Sequence, residues 1–461
     1  MTDTIARRLA AEVAALRAAP LPAAVLARAR DFLLDFLGVA LGGAPEPSSV
    51  ALRAGLARLR LGGDGPVIGT TARLPATHAA LANGAAAHAL EMDDTHLGGS
   101  IHLGASVFPA ALAAAALAPA SGELLLRAAV AGYEVAARLA MALGPARHYA
   151  RGYHPTGTCG AFGAAAAAGV VLGLDADALV HAFGIAGSQG AGSLEFLADG
   201  SWTKRLHPGW AACAGVHAAA LAAAGFVAPA SIFEGRFGVL DAWSDAPDPA
   251  ALAPHGGFEL MRTGVKPHAC CRYVQAPIDA VLALRAESGV RPDDVERIEV
   301  GIVAAGFPIV CEPIERKLRP TSVVDAQFSL PFGVAVALAR GRASPAEFAL
   351  SVLDDPVVLG LMPRVAPVRD AALDAHYPRA WPAWVRIVRR RGPALERRIE
   401  HPLGDPEHFP SADALGAKFR DLAARSLPAG QIERLAALVA DTGATSDAAS
   451  IAPAASLPAG E

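Results

Sequence analysis

From Thr4 to about Leu240 the apolar residues recur at i, i+3 and i+4, or cover a whole helical face, almost without interruption. IARRLAAEVAALRA, AAVLARARDFLLDFLGVALGG and HAALANGAAAHALEMDD are three such stretches, each broken by Pro or Gly. Alternating β-branched segments are nearly missing from this half. The pattern predicts an all-α body of roughly ten helices.

The period changes after Lys266. VERIEVGIVAAG (295–306), WVRIVRRRG (384–392) and LERRIEHPLG (395–404) alternate with a period near two, as half-buried strands do. Between them a helix is expected over 324–341, and another from Ser344-Pro345, with Ser as cap and Pro in the first turn. SADALGAKFRDLAARSL and AGQIERLAALVADTG are helical again, with Ser411 as N-cap, and the last dozen residues read as a frayed tail. The expected architecture is mainly α: a large all-α domain made of 1–266 and a C-terminal return, 406–461, with a smaller α+β lid domain over 267–405.

Composition removes several classes of function. With 53% hydrophobic and 18% charged residues, against about 25% charged in an average domain, a large buried interior is expected. Net charge is −4 and the arginines are scattered, so no basic stripe exists for a phosphate backbone and no nucleic-acid partner is expected. Mean hydropathy is +0.35, yet the greasiest runs, from Phe108 and from Ala211, are mostly alanine and shorter than the roughly 20 strongly apolar residues of a span. No membrane association is expected. The N-terminal MTDTIARRLAAEV lacks a signal-peptide pattern, and five cysteines without a CxxC suggest a reduced, cytoplasmic protein with neither disulfides nor a structural metal.

Polar residues that interrupt alanine-rich helices must be solvated, paired or functional. In His88–Leu112 a helix ends in Glu91, Asp93 and Asp94, and Thr95, His96 and His102 follow in a glycine-containing loop. This is an acid/base set or a divalent-metal site; acids at a helix C-terminus otherwise need compensation. In Arg151–Val171, His154 precedes a Pro-Thr-Gly-Thr turn, with Thr156, at a helix start suited to an anion. In Asp199–Gly215, Lys204, Arg205 and His207 share a turn between apolar segments. In Thr263–Leu282, Lys266 stands beside His268, Cys270, Cys271 and Arg272 where the two domains meet, and interdomain clefts commonly hold small-molecule pockets. The vicinal cysteines read as small buried hydrophobes. Asp325 and Gln327, entering an apolar helix behind Arg319, read as capping and buried hydrogen bonding.

Lysine is scarce: of 40 Lys plus Arg, only Lys204, Lys266, Lys317 and Lys418 are lysine. Keeping an ammonium where arginine is the default suggests a site that wants a compact, titratable donor. The inventory has cations for carboxylates (Lys204, Lys266, Arg272) and groups that move protons (His102, His154, Asp93), with no GxGxxG after a strand, P-loop or nucleophile elbow. Proton abstraction α to a carboxylate, followed by loss of a leaving group, uses this set without a cofactor.

HALEMDDTH, GYHPTGTCGAFGAAAAAG, DGSWTKRLHPGWAACAGVHAAALAAAGF, KPHACCRYVQAPIDA and DAQFSLPFG together resemble the MmgE/PrpD family, which includes 2-methylcitrate dehydratase, cis-aconitate decarboxylase and iminodisuccinate epimerase. The resemblance spans nearly the whole chain. It implies a homodimer with the site in the cleft between helical and lid domains, working without metal or organic cofactor on small di- or tricarboxylates. It implies active-site positions at the acidic helix end, Thr95, His102, His154, Lys204 and Lys266. On this reading the chain is a cytoplasmic lyase, foremost a dehydratase of a 2-methylcitrate-like acid. His102 and His154 are acid and base in either order, Lys204 and Lys266 clamp carboxylate and enolate, and Asp93 or Thr95 orients. Glu91, His207, Arg272 and Thr156 are expected to bind substrate. Epimerisation, decarboxylation, and a metal-dependent hydrolase using Asp93, Asp94, His96 and His102 are the alternatives. Two departures stand out: Glu91 occupies a position that is Asp in the family, and the lid has no tyrosine between Tyr273 and Tyr377, which weighs against decarboxylation.

Overall fold

Alanine and glycine let helix axes approach more closely than larger side chains permit, and the helical body is built on such crossings. In the computed structural model, which describes residues 3–254 and 256–458, the buried Pro155–Leu172 helix packs against Gly104–Ala115, Gly122–Leu143 and Thr203–Ala223. Among the described residues it alone is long and apolar enough to cross a membrane, and 94% of it is buried inside the fold, as a core helix should be. One close crossing joins Thr203–Ala223 to Ala76–Ala87: a Cβ built on Gly84 would lie 2.8 Å from Gly209 Cα. This contact sets the start of the first helix beside the end of the second.

The lid region carries a four-stranded sheet in the order Val365–Arg369, Val295–Ile302, Ala383–Arg389, Leu395–Ile399. The first pair is parallel and the others antiparallel, and Arg272–Ser288 and Leu330–Arg340 pack together beside it. A mainly helical chain with a smaller α+β part is thus what forms. Strand Val365–Arg369 escapes the sequence pattern because Pro367 interrupts it; it lies at the sheet edge, where a missing N–H is tolerated.

Three local expectations are corrected. The helix expected over 324–341 is two helices, Val323–Gln327 and Leu330–Arg340. Ser329 caps the second by accepting from the Phe332 N–H, and Pro331, which cannot donate and whose ring crowds the preceding turn, sits just inside it. Ser344-Pro345 starts only a 3₁₀ turn, Pro345–Phe348, closed by a capping box with Glu347. Finally, residues 450–458 are tied down: Ile451 is buried and Leu457 N–H donates to the Thr70 carbonyl, while 459–461 lie outside the described residues.

Ser411 accepts from the Ala414 N–H and caps Ala412–Ala423, which lies against Ala23–Gly43 at a close approach of Gly38 to Phe419. A two-residue pairing also matters for the site: Thr95 faces Gly264 and His96 faces Thr263. It brings Lys266 to the acidic loop.

Candidate active site

Glu91 lies near the start of the loop after Ala76–Ala87 with φ +56°, and Ser100 on the same loop has φ +47°. Left-handed backbone at non-glycine residues costs about 1 kcal/mol or more and tends to persist where the surroundings enforce it. Both residues face a cavity of about 500 Å³ that Thr95, His102, His154, Lys204, Cys271 and Arg272 also line.

The loop's conformation is fixed from behind. His96 Nε2 bonds Glu259 at 2.8 Å and its Nδ1 accepts from Gly99 N–H at 3.0 Å. Asp94 accepts from the Tyr133 hydroxyl at 2.5 Å and from Gly104 N–H at 2.9 Å; burial pushes its carboxyl up to about 7. His96 and Asp94 are therefore committed to other partners, and the set Asp93, Asp94, His96, His102 does not converge on a metal. Ring nitrogens of His88, His102 and His154, by contrast, lie within 4.8 Å of one another. This triad could hold a divalent ion or pass protons.

Lys204, Arg205 and His207 do not form a turn between segments; they occupy the first turns of Thr203–Ala223 and are all buried. The Gly84–Gly209 crossing sets their depth. Lys204 Nζ donates to Glu91 Oε1, and Lys266 Nζ reaches Glu91 Oε2 at 3.3 Å and Asp93 Oδ1 at 3.4 Å. The longer Glu91 side chain thus spans both lysines. Burial alone would raise the Glu91 carboxyl, but Lys204 and Lys266 outweigh it and hold the group below the usual range. Asp93 is likewise held well below the usual carboxylate range against burial by its neighbours His88, whose ring N–H it accepts, His102 and Lys266. Burial lowers Lys204, and Glu91 opposes that; Lys266, equally buried, is raised by Asp93 and Glu91.

Hydrogen-bond partners decide the imidazole tautomers. His102 Nδ1 lies 2.8 Å from the Asp94 carbonyl, which can only accept, so Nδ1 carries the hydrogen and Nε2 is bare. Thr95 Oγ1 is 3.3 Å from the same nitrogen, and Thr156 Oγ1 accepts from the His102 N–H at 3.1 Å. His88 Nδ1 donates to Asp93 Oδ2 at 2.7 Å, leaving a buried Nε2 without a protein partner. His154 and His207 meet through their Nδ1 atoms at 3.0 Å. Burial drives His88, His102 and His154 down, with His207 and Lys204 adding to the effect on His154, so all three are neutral near pH 7.

The expected residues are thus brought together, in two layers. Glu91, Thr95, His102, His154, Lys204 and Arg272 line the cavity; Asp93, Thr156, His207 and Lys266 stand directly behind them. The helix start at Pro155 is closed off rather than open to an anion, because Gly157 abuts the Ala191 carbonyl and His154 N–H donates to the Gly192 carbonyl. Arg272 is paired with the buried Asp405 carboxylate. The remaining two lysines also serve the site from outside: Lys317 donates to the carbonyls of Ile309 and Phe328, both cavity residues, and Lys418 bonds Asp35 and the Met92 carbonyl. All five cysteines are free and buried.

Sequence reasoning passed over His88, Tyr149, Tyr377 and Trp381. His88 opens the first motif and Tyr149 stands just before the second, which were available signals; Tyr377 and Trp381 carried none. Tyr273 and Tyr377 flank the tyrosine-free stretch, line the cavity, and hold their hydroxyls 3.3 Å apart. The cavity therefore has lid phenols despite that gap.

Residues 7–252 match the MmgE/PrpD N-terminal domain and residues 268–442 the MmgE/PrpD C-terminal domain. The chain belongs to the MmgE/PrpD family. Within this family's range it is similar to a cis-aconitate decarboxylase of Aspergillus terreus (strain NIH 2624 / FGSC A1156), with 27% identity over 442 residues, 91% of this chain and 89% of that protein. It is also similar to a cis-aconitate decarboxylase-like protein of Aspergillus oryzae (27%, covering 92% and 91% of the two chains). A cis-aconitate decarboxylase of Mus musculus is 28% identical, over 80% of this chain and 76% of its own.

Proposed function

We propose that this chain is a lyase acting on small polycarboxylates, using its own imidazole and ammonium groups rather than a metal or organic cofactor, as a cytoplasmic homodimer. The observation that carries the reading is the convergence of two neutral imidazoles, His102 and His154, with the Lys204 ammonium on one cavity wall.

Loss of CO₂ is the first reading, supported by the relatives that are cis-aconitate decarboxylases. The bond from the departing carboxyl to its carbon breaks, and the electron pair moves into the neighbouring unsaturated carboxylate as an enediolate. The Lys204 ammonium balances that charge and an imidazole N–H returns a proton to carbon. Dehydration is the second reading. The bare His102 Nε2 favours it, since removal of an α-proton needs a base and simple decarboxylation does not; His154 would then protonate the leaving hydroxyl. In both, Lys266 and Asp93 hold Glu91 and the imidazoles in place.

Incubation of the full-length protein with cis-aconitate, citrate, 2-methylcitrate and iminodisuccinate, following alkene absorbance and CO₂, separates the readings. CO₂ release supports the first, alkene without CO₂ the second, and solvent-deuterium incorporation without net product an epimerase. Absence of all three would overturn the lyase assignment.

A further inference from the structure

Three imidazoles meet from three separate stretches of chain. His88 follows Ala76–Ala87, His102 stands just before Gly104–Ala115, and His154 precedes Pro155–Leu172. Their ring nitrogens lie within 4.8 Å of one another, and their ring centroids are 4.7, 5.9 and 6.3 Å apart. A tetrahedral zinc-type ion with bonds of about 2.0–2.1 Å holds its nitrogens about 3.4 Å apart. Side-chain shifts of about an ångström would therefore bring the three rings onto one ion.

Each ring has one nitrogen engaged from behind and one left over. His88 Nδ1 donates to Asp93 Oδ2, His102 Nδ1 donates to the Asp94 carbonyl, and His154 Nδ1 meets His207 Nδ1. Metal-bound imidazoles are held in this way, the second ring nitrogen donating to a carboxylate, a carbonyl or another acceptor that fixes the ring's orientation. The three Nε2 atoms remain. His88 Nε2 is buried with no hydrogen-bond partner among the described residues, a costly state for a polar atom, and neither reading of the lyase chemistry uses it. His102 and His154 line the cavity, so a fourth position opens toward it. Lys204 and Lys266 are already matched by Glu91 and Asp93, so a dication here is completed by an anion from the cavity, hydroxide or a carboxylate oxygen.

We propose that His88, His102 and His154 form a binding site for a first-row divalent ion of the zinc type, and that the bound ion silences the lyase. Ligation selects the tautomer in which His154 donates to His207. It takes the lone pairs of His102 Nε2 and His154 Nε2, so neither atom can accept or return a proton while the ion is present. Imidazole donors favour zinc and its late first-row neighbours over magnesium, which prefers oxygen ligands and keeps its waters. The binding stands on the imidazole geometry alone; the silencing rests on the lyase reading.

Titration calorimetry of the chelator-stripped, full-length protein with Zn²⁺ reads the site directly. One equivalent is expected to bind with Kd below about 10 µM, with no binding of Mg²⁺. His88→Gln and His154→Gln are expected to weaken it about 100-fold or more. His401→Ala, which breaks the separate group of His401, Asp405 and Glu407, is expected to leave it unchanged. A weaker Kd for the wild type, or an affinity retained in either folded glutamine variant, would overturn the site. Should a glutamine variant fail to fold by circular dichroism, Co²⁺ added to the wild type decides. Intense visible bands of a four-coordinate ion, bleached by one equivalent of Zn²⁺, are expected, and the weak bands of an octahedral ion would overturn the site. Where the stripped protein turns over a polycarboxylate, free Zn²⁺ buffered at tenfold its Kd is expected to leave about a tenth of the rate, restored by chelator. An unchanged rate would overturn the silencing. A stripped protein that turns over none of the acids removes the lyase reading, and the calorimetry still decides the metal site.

Discussion

His154 and His207 face each other through their Nδ1 atoms at 3.0 Å, both buried. One of the two nitrogens must carry the hydrogen and the other must be bare, so the tautomer of His207 dictates that of His154 and hence whether His154 offers N–H or a lone pair at Nε2. His207 is a positioning residue for the imidazole at the cavity wall.

Replacing His207 by Phe removes that constraint, whereas His207→Asn keeps a polar group near the Nδ1 position. His207→Phe is expected to lower kcat about 10- to 100-fold with a displaced pH profile, and His207→Asn to recover much of the loss, with KM little changed in both. Equal kcat and pH profiles in wild type and His207→Phe would remove the positioning role.

The Glu91 carboxylate is the common partner of Lys204 and Lys266. Glu91→Gln leaves two buried ammonium groups short of a counter-charge and is expected to cost about 3–5 kcal/mol of stability. Glu91→Asp, one methylene shorter, is expected to reach one lysine and to cost less. Urea denaturation of the three proteins checks the order; equal midpoints for wild type and Glu91→Gln would contradict the network.

Burial holds His148 and His207 down to about 4, below the roughly 6.5 of an unfolded chain. Between those values the unfolded state binds protons that the folded state refuses, so stability falls as pH drops from about 6.5 to about 4. Asp94, raised to about 7, acts in the opposite sense: its contribution is full below about 4 and is lost as pH rises through 7. The histidines outnumber it, and net acid destabilisation is expected in thermal melts from pH 7 to 5. A melting temperature that rises on acidification would refute this balance.

Gly209 touches the Ala76–Ala87 helix so closely that a Cβ would strike its backbone. Gly209→Ala is expected to destabilise by about 1–3 kcal/mol despite its better helix propensity. Because the same crossing seats Lys204, a fall in kcat/KM should accompany the change in denaturation midpoint. Full activity in a destabilised variant would separate the crossing from the site.

The sequence made much of this site legible where chemistry is rare against its background. Lys204 and Lys266 stood out because this chain seldom uses lysine, and His102 and His154 because they interrupt alanine-rich helices. What was hidden depends on long-range contact. The pairing of Thr95 with Gly264 that delivers Lys266 to Glu91 joins two loops with no β pattern in either. Arg205 resembled a functional cation, yet it is buried against Ser48, Gln327 and Glu46. Tyr377 and Trp381 reach the cavity from a lid segment with no periodic signal, and a strand containing Pro367 does not announce itself as one. The apolar run over 324–341 reads as one helix because it masks the Ser-Leu-Pro restart at Ser329.

The most direct measurement is turnover of the preferred polycarboxylate by His154→Ala and Lys204→Ala beside wild type, with folding checked by circular dichroism. Each variant is expected to lose a factor of about 10² to 10⁴ in kcat while remaining folded. Wild-type turnover in both would contradict the assignment of this cavity as the catalytic site.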